Sequence, residues 1–150
     1  MSGIKRVVVV PCSGIGKTYG TVGREAAYEL VETLRPDKSE VVALSLLVLG
    51  DTDTRARVQA APAITVDGCK LACASKMVTE SGGRVAYEAN VLDTFRRHRQ
   101  LKPKGIAELN PEGEQLARKM AEELAEATDE ILSDEILSDE ILKREEEQDA

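Results

Sequence analysis

The sequence predicts an α/β protein: a three-layer sandwich built on a mostly parallel sheet of four or five short strands, Rossmann-like, with a C-terminal helix packed against it. Three observations carry this. Short β-branched runs alternate with segments of helical periodicity, the pattern of strands covered by helices on both faces. Turn signals rich in glycine follow the first and third runs, where strand should pass into helix. The chain has 150 residues, 42 % of them apolar and 31 % charged, enough for one compact core and too few for two ordinary ones.

The elements follow in order. Residues 4–10 are a β-branched run ending at Pro11, then come a glycine-rich stretch and the apolar positions Ala26, Ala27, Leu30, Val31 and Leu34 at helical spacing. This helix should stop near Arg35, because a residue before proline is pushed out of the helical region. Residues 41–49 are an apolar run closed by Gly50-Asp51; its first half reads as a buried strand and its end is ambiguous. A polar segment leads to a third strand over residues 63–66, stopped by Asp67-Gly68. Residues 71–80 read as a helix ending at Gly82-Gly83, and residues 84–89 as a fourth strand. The last element opens at Asn110-Pro111, a cap followed by proline at the first helical position, and carries the stripe Leu116, Ala117, Met120, Ala121, Leu124, Ala125.

The formal charge of −7 is uneven: residues 129–150 hold ten acidic and two basic residues, whereas residues 1–128 are close to neutral. The acidic character therefore belongs to a tail, and two units are expected: a domain over residues 1–128 and an acidic, low-complexity, helical or disordered tail over 129–150. The tail repeats DEILS, DEILS, DEILK. Five residues advance a helix by about 140° net, so the Ile-Leu pairs point all round it and no single face collects them. The tail is expected to be a charged helix that frays, with partner binding or self-association as the alternative.

Several function classes are excluded at this level. No apolar run approaches the roughly 20 residues of a membrane span, and residues 1–11 lack the apolar stretch of a secretory signal, so the cytoplasm is the expected compartment. Four aromatic residues, with no Trp, argue against stacking on single-stranded nucleic acid, and nucleic-acid partners are not expected. A small molecule or another protein is expected instead. Three cysteines are too few and odd in number for a disulfide framework, which leaves reduced thiols available as nucleophiles or metal ligands.

Two segments place those thiols at strand ends. The first runs from Pro11 and Cys12 through Ser13, Gly14 and Gly16 to Lys17-Thr18. Gly16-Lys17-Thr18 matches the end of a phosphate-binding loop, and Asp51 could imitate its magnesium carboxylate. The pattern needs glycine where Pro11 stands, however, so nucleotide hydrolysis is not expected. The spacing of Gly14, Gly16 and Gly20 is likewise one residue too long for a dinucleotide fingerprint. The second segment is Asp67-Gly68-Cys69 with Cys73 four residues on, both thiols expected on one face of a helix's first turns, where the helix dipole favours thiolate. Loops after parallel strands open at one sheet edge, so Cys12, Cys69 and Cys73 can converge as metal ligands. Ser13, Gly14, Gly16, Asp67 and Gly68 are the accompanying candidate cofactor-binding residues. His98, amid Arg96, Arg97 and Arg99, reads as a solvated surface residue rather than a ligand.

Together, Pro11-Cys12-Ser13-Gly14-Ile15-Gly16 and Val66-Asp67-Gly68-Cys69 with Cys73-Ala74 resemble the DGC-domain family, named for its central Asp-Gly-Cys; the resemblance spans roughly residues 4–106. It implies metal binding through cysteines, with zinc as the metal. The family is described with four chelating cysteines and this chain has three, Ala43 being the expected stand-in for the fourth. Three ligands leave one position for water, substrate or Asp67. The residues themselves leave three chemistries open: zinc with a free position, an iron–sulfur cluster with an exposed iron, and metal-free thiol redox work by Cys69 and Cys73.

Overall fold

The computed structural model describes residues 5–12, 14 and 16–149. Four strands, β1 (Val7–Pro11), β2 (Ser39–Val41), β3 (Pro62–Asp67) and β4 (Arg84–Asn90), form one sheet in the order β2-β1-β3-β4, every neighbouring pair parallel. The sheet is thus wholly parallel. Helices α1 (Thr18–Glu29), α5 (Val91–Arg97) and α6 (Pro111–Gln148) cover one face, and α2 (Leu44–Leu49), α3 (Thr52–Ala60) and α4 (Cys73–Glu80) the other.

β1 shows why two faces are needed. Its valines alternate, Val7 and Val9 packing with α1 and α6, Val8 and Val10 with α2, α3 and α4, and all four are buried. On the first side Leu116, Met120, Ala121 and Leu124 of α6 meet Val22, Ala26 and Leu30, completing the stripe read in the sequence. Asn110 caps α6 by accepting the Gly113 N–H at 2.8 Å, with Pro111 at the first position. After α1 the chain continues as a π-helical stretch, Leu30–Leu34, and leaves the helix at Arg35 before Pro36.

Two expectations need correction here. Of the run 41–49, whose first half reads as a strand, only Val41 lies in β2, and most of the run is α2. Leu44 and Leu47, one turn apart, are buried, while Leu46, Val48 and Leu49 are exposed. Gly50 stops this helix in the left-handed conformation (φ 77°), with the N–H of Gly50 bonded to Leu47 and that of Asp51 to Leu46, the Schellman arrangement. Asp51 then caps α3 by accepting the Thr54 N–H at 2.9 Å, making a helix of the segment read as merely polar. The second correction is that the helix expected from residue 71 begins at Cys73. Residues 68–72 form a turn, and Ala72 precedes the helix in the left-handed conformation (φ 51°). Cys69 is therefore outside the helix, and the two thiols do not share a helical face.

The helix α6 continues without a break across Asp129. Asp129 accepts a two-pronged bond from the Arg35 guanidinium (2.8 and 2.7 Å) and lies 3.7 Å from the Lys38 ammonium. Leu132 is buried in the same core as β1, and Ile131 packs against it. Beyond this point the attachments are ion pairs, Arg84 with Glu135 and Lys5 with Asp139. No helix among the described residues is long and apolar enough to cross a membrane.

Candidate metal and thiol site

The strand order fixes where a ligand can enter. From β1 the chain passes to β2 on one side, and β3 then pairs on β1's other side, so connections leave β1 and β3 in opposite directions, the topological switch point beside which open α/β sheets bind ligands. Cys12 follows β1 directly, and Gly68-Cys69 follow β3. The Cys12 N–H donates to Val66 at 2.8 Å, extending the β1–β3 ladder one residue past Pro11. Pro11 forfeits nothing: on its side of β1, β2 has already ended.

Backbone contact between three segments draws the loops together. A Cβ on Gly14 would lie 2.5 Å from the Gly20 Cα, one on Gly20 2.4 Å from the Gly14 oxygen, and one on Gly68 3.0 Å from the Gly20 nitrogen. The first turn of α1 thus wedges between the loops after β1 and β3, at a spacing no side chain permits. These glycines bring backbone to backbone, a use that ligand motifs alone do not reveal. Ser13 lies outside the described residues.

The Cys12 thiol sits where these segments meet, half-buried, with the backbone N–H groups of Gly14 and Gly68 directed at the sulfur. Burial pushes this thiol above its ordinary pKa; the two N–H groups oppose the shift, and the charges of Asp67 and Cys73 add to it. Cys69 is half-buried and Cys73 exposed.

Asp67 is 3 % exposed and occupied by the helix that follows it: its carboxylate accepts the N–H groups of Ala74 (2.9 Å) and Ser75 (3.4 Å). It thereby caps α4 from the strand, a task Ala72 cannot perform with its own side chain. Asn90, missed by sequence reasoning, ties the Cys69 turn down. Its amide nitrogen donates to the Cys69 carbonyl at 3.0 Å, while its amide oxygen caps α5 through the Leu92 N–H at 2.9 Å. The available signal was an Asn just before the apolar pair Val91-Leu92. His98 faces Glu123 of α6 at 3.9 Å, Arg97 binds the same carboxylate, and Arg96 pairs with Asp93, so these three members of the basic cluster face carboxylates.

Three soft thiolate donors suit zinc or an iron–sulfur cluster. In their present side-chain positions, no three His, Cys, Asp or Glu residues among the described residues are gathered around one point that could hold an ion. Cys12 has its two N–H groups and senses the charge of Cys73 at the start of α4, and Cys69 lies on the turn between β3 and α4.

Fold and site together define an open, doubly wound α/β protein with Cys12 on the loop after β1 and Cys69 and Cys73 on the segment after β3. The family model of the DGC domain matches residues 8–120, and the chain belongs to that family. No curated protein and no solved structure matches it.

Proposed function

We propose that this protein binds a thiophilic metal ion, zinc, through the thiolates of Cys12, Cys69 and Cys73. The observation that carries the reading is the Cys12 sulfur, held between the Gly14 and Gly68 N–H groups where the loops after β1 and β3 meet and close enough to Cys73 to feel its charge. The N–H groups stabilise thiolate, the form a metal needs, against the opposing effect of burial. Asp67 holds the start of α4, and with it Cys73, in place, while Asn90 anchors the Cys69 turn. Bringing Cys69 into the first coordination sphere calls for a rearrangement within residues 68–72, a turn outside any strand or helix. With three thiolates and a fourth position for water or a small-molecule substrate, bound zinc supplies Lewis acidity, and the ion is reactive or transferable rather than purely structural.

A second reading, thiol chemistry without metal, is favoured by the exposure of Cys73 beside the shielded Cys12. Anaerobic purification with elemental analysis and a visible spectrum separates the readings. Stoichiometric colourless zinc that is lost in Cys12→Ser, Cys69→Ser and Cys73→Ser supports the proposal. Iron with acid-labile sulfide and absorption near about 400 nm would assign a cluster instead. Metal-free protein, or metal indifferent to all three substitutions, leaves the thiol reading.

A further inference from the structure

We propose that the projecting end of α6 is a docking handle for a basic, amphipathic helix of a partner protein, independently of the thiol site. Ile136, Leu137, Ile141 and Leu142 are 51 %, 56 %, 46 % and 57 % exposed, four large apolar side chains within seven residues of one helix. Among the described residues the last ion pair with the body is Lys5 with Asp139, and all those from 140 to 149 are exposed. About 13 Å of helix therefore stands clear, at 1.5 Å per residue over residues 140–148. The segment continues α6, and its exposed apolar side chains gain from a surface that covers them.

The chemistry of that surface follows from what flanks the apolar pairs. Glu135 and Asp139 are taken by Arg84 and Lys5. Asp134, Glu140, Glu145, Glu146, Glu147 and Asp149 are exposed, with Lys143 and Arg144 the basic residues of the tail. An occupant must offer apolar side chains to Leu137 and Ile141, which share a face one turn apart, and cations on both flanks. A second copy offers the wrong sign, since each tail carries ten acidic residues against two basic ones. The five-residue repeat fits this use. After Leu132 has entered the core, the 140° advance turns the next pairs outward, so one motif first attaches the helix and then presents it.

The test titrates the full-length protein with a Lys/Leu amphipathic peptide of about five helical turns, alongside a Glu/Leu peptide and a Lys/Gln peptide of the same length. Binding of the Lys/Leu peptide is expected, reduced at least about tenfold by Leu137→Ser with Ile141→Ser, and reduced similarly when Gln replaces Leu in the peptide. Both substituted residues are exposed, and an unchanged melting temperature verifies that the fold survives. Three results would each overturn the proposal: binding indifferent to the double substitution, equal binding of the Lys/Gln peptide, or a dimer in ultracentrifugation that the same substitutions dissociate.

Discussion

Asp67, the last residue of β3, accepts the backbone N–H of Ala74 at 2.9 Å and so caps the helix that begins at Cys73. One carboxylate thus sets the position of a thiol six residues away, across a turn whose own residues do not cap the helix. Replacing Asp67 by Ala is expected to remove about 1 kcal/mol, a typical cap, and to lower the melting temperature by about 2–4 °C. Zinc affinity at the proposed site should fall with it, because Cys73 loses its fixed position. Retention of full affinity in a folded Asp67→Ala protein would show that Cys73 is positioned by something else.

The same residue makes a pH prediction. Burial holds the Asp67 carboxyl above its ordinary range, outweighing the bonds from Ala74 and Ser75, and the charge of Glu88 acts in the same direction as burial. The folded state then holds this proton more tightly than the unfolded chain does. Its contribution to stability is full below the ordinary carboxyl pKa of about 3.9 and is lost as pH rises through the raised value. Asp67→Asn, which cannot ionise, should gain on the unsubstituted protein as pH is raised from about 4, read as the difference between the two melting temperatures. A difference constant with pH would contradict this.

Asp129 should behave in the opposite sense. Its bond from Arg35 holds the carboxyl below its ordinary range, so its contribution is present above about pH 4 and is lost as pH falls through the lowered value. The pair is partly exposed, at 30 % and 43 %, which limits it to about 1 kcal/mol or less. Asp129→Asn is expected to melt lower near neutrality, by at most about 2–4 °C, and to match the unsubstituted protein near pH ~2.

Gly20→Ala tests the wedge between the loops. In a solvent-exposed helix the change would add up to about 1 kcal/mol of stability. Here the new Cβ meets the Gly14 oxygen at 2.4 Å and its Cα at 2.6 Å, backbone atoms that can yield only by moving the Cys12 loop. The expected net effect is destabilisation of about 1–3 kcal/mol, with weakened zinc binding measured by chelator competition. A variant more stable than the parent would mean that the loops do not close on α1 in solution.

Two truncations divide the long helix. Ending the chain after Glu140 removes, among the described residues, only exposed ones and should shift the melting temperature by about 2 °C at most. Ending it after Thr128 also removes buried Leu132 and the Arg35–Asp129 pair, and should cost about 5 °C or more. Equal losses would place the stabilising contacts elsewhere.

Much of the fold was legible because local chemistry and burial agree. The valines of β1, the Asn110-Pro111 cap and the α6 stripe each carry a signal that needs no distant partner. The apolar run at residues 41–49 was misread because periodicity cannot separate a buried strand from a short helix with one buried face. Gly50-Asp51, which closes an apolar run of ambiguous end in the sequence, is the C-cap of one helix followed by the N-cap of the next. In the candidate site, the cysteines and both glycine motifs were readable as types and spacings, whereas the start of α4 was not, because its cap comes from β3 rather than from its own first turn.

The sequence alone thus determined the α/β class, the placement of the three thiols after strands, and the acidic character of the tail, since each follows from residue type and short-range order. Only the tertiary structure decided the strand order that puts the switch point between β1 and β3. It also decided the backbone contact of Gly14, Gly20 and Gly68, the engagement of Asp67 as a helix cap, and how much of the repeat is buried. These are contacts between residues far apart in the chain, and whether a side chain or a backbone N–H meets its partner there depends on packing that local spacing does not encode. Leu132 and Leu137 occupy the same place in successive repeats, yet one is buried and the other exposed, because the helix turns by about 140° between them while the body stays on one side.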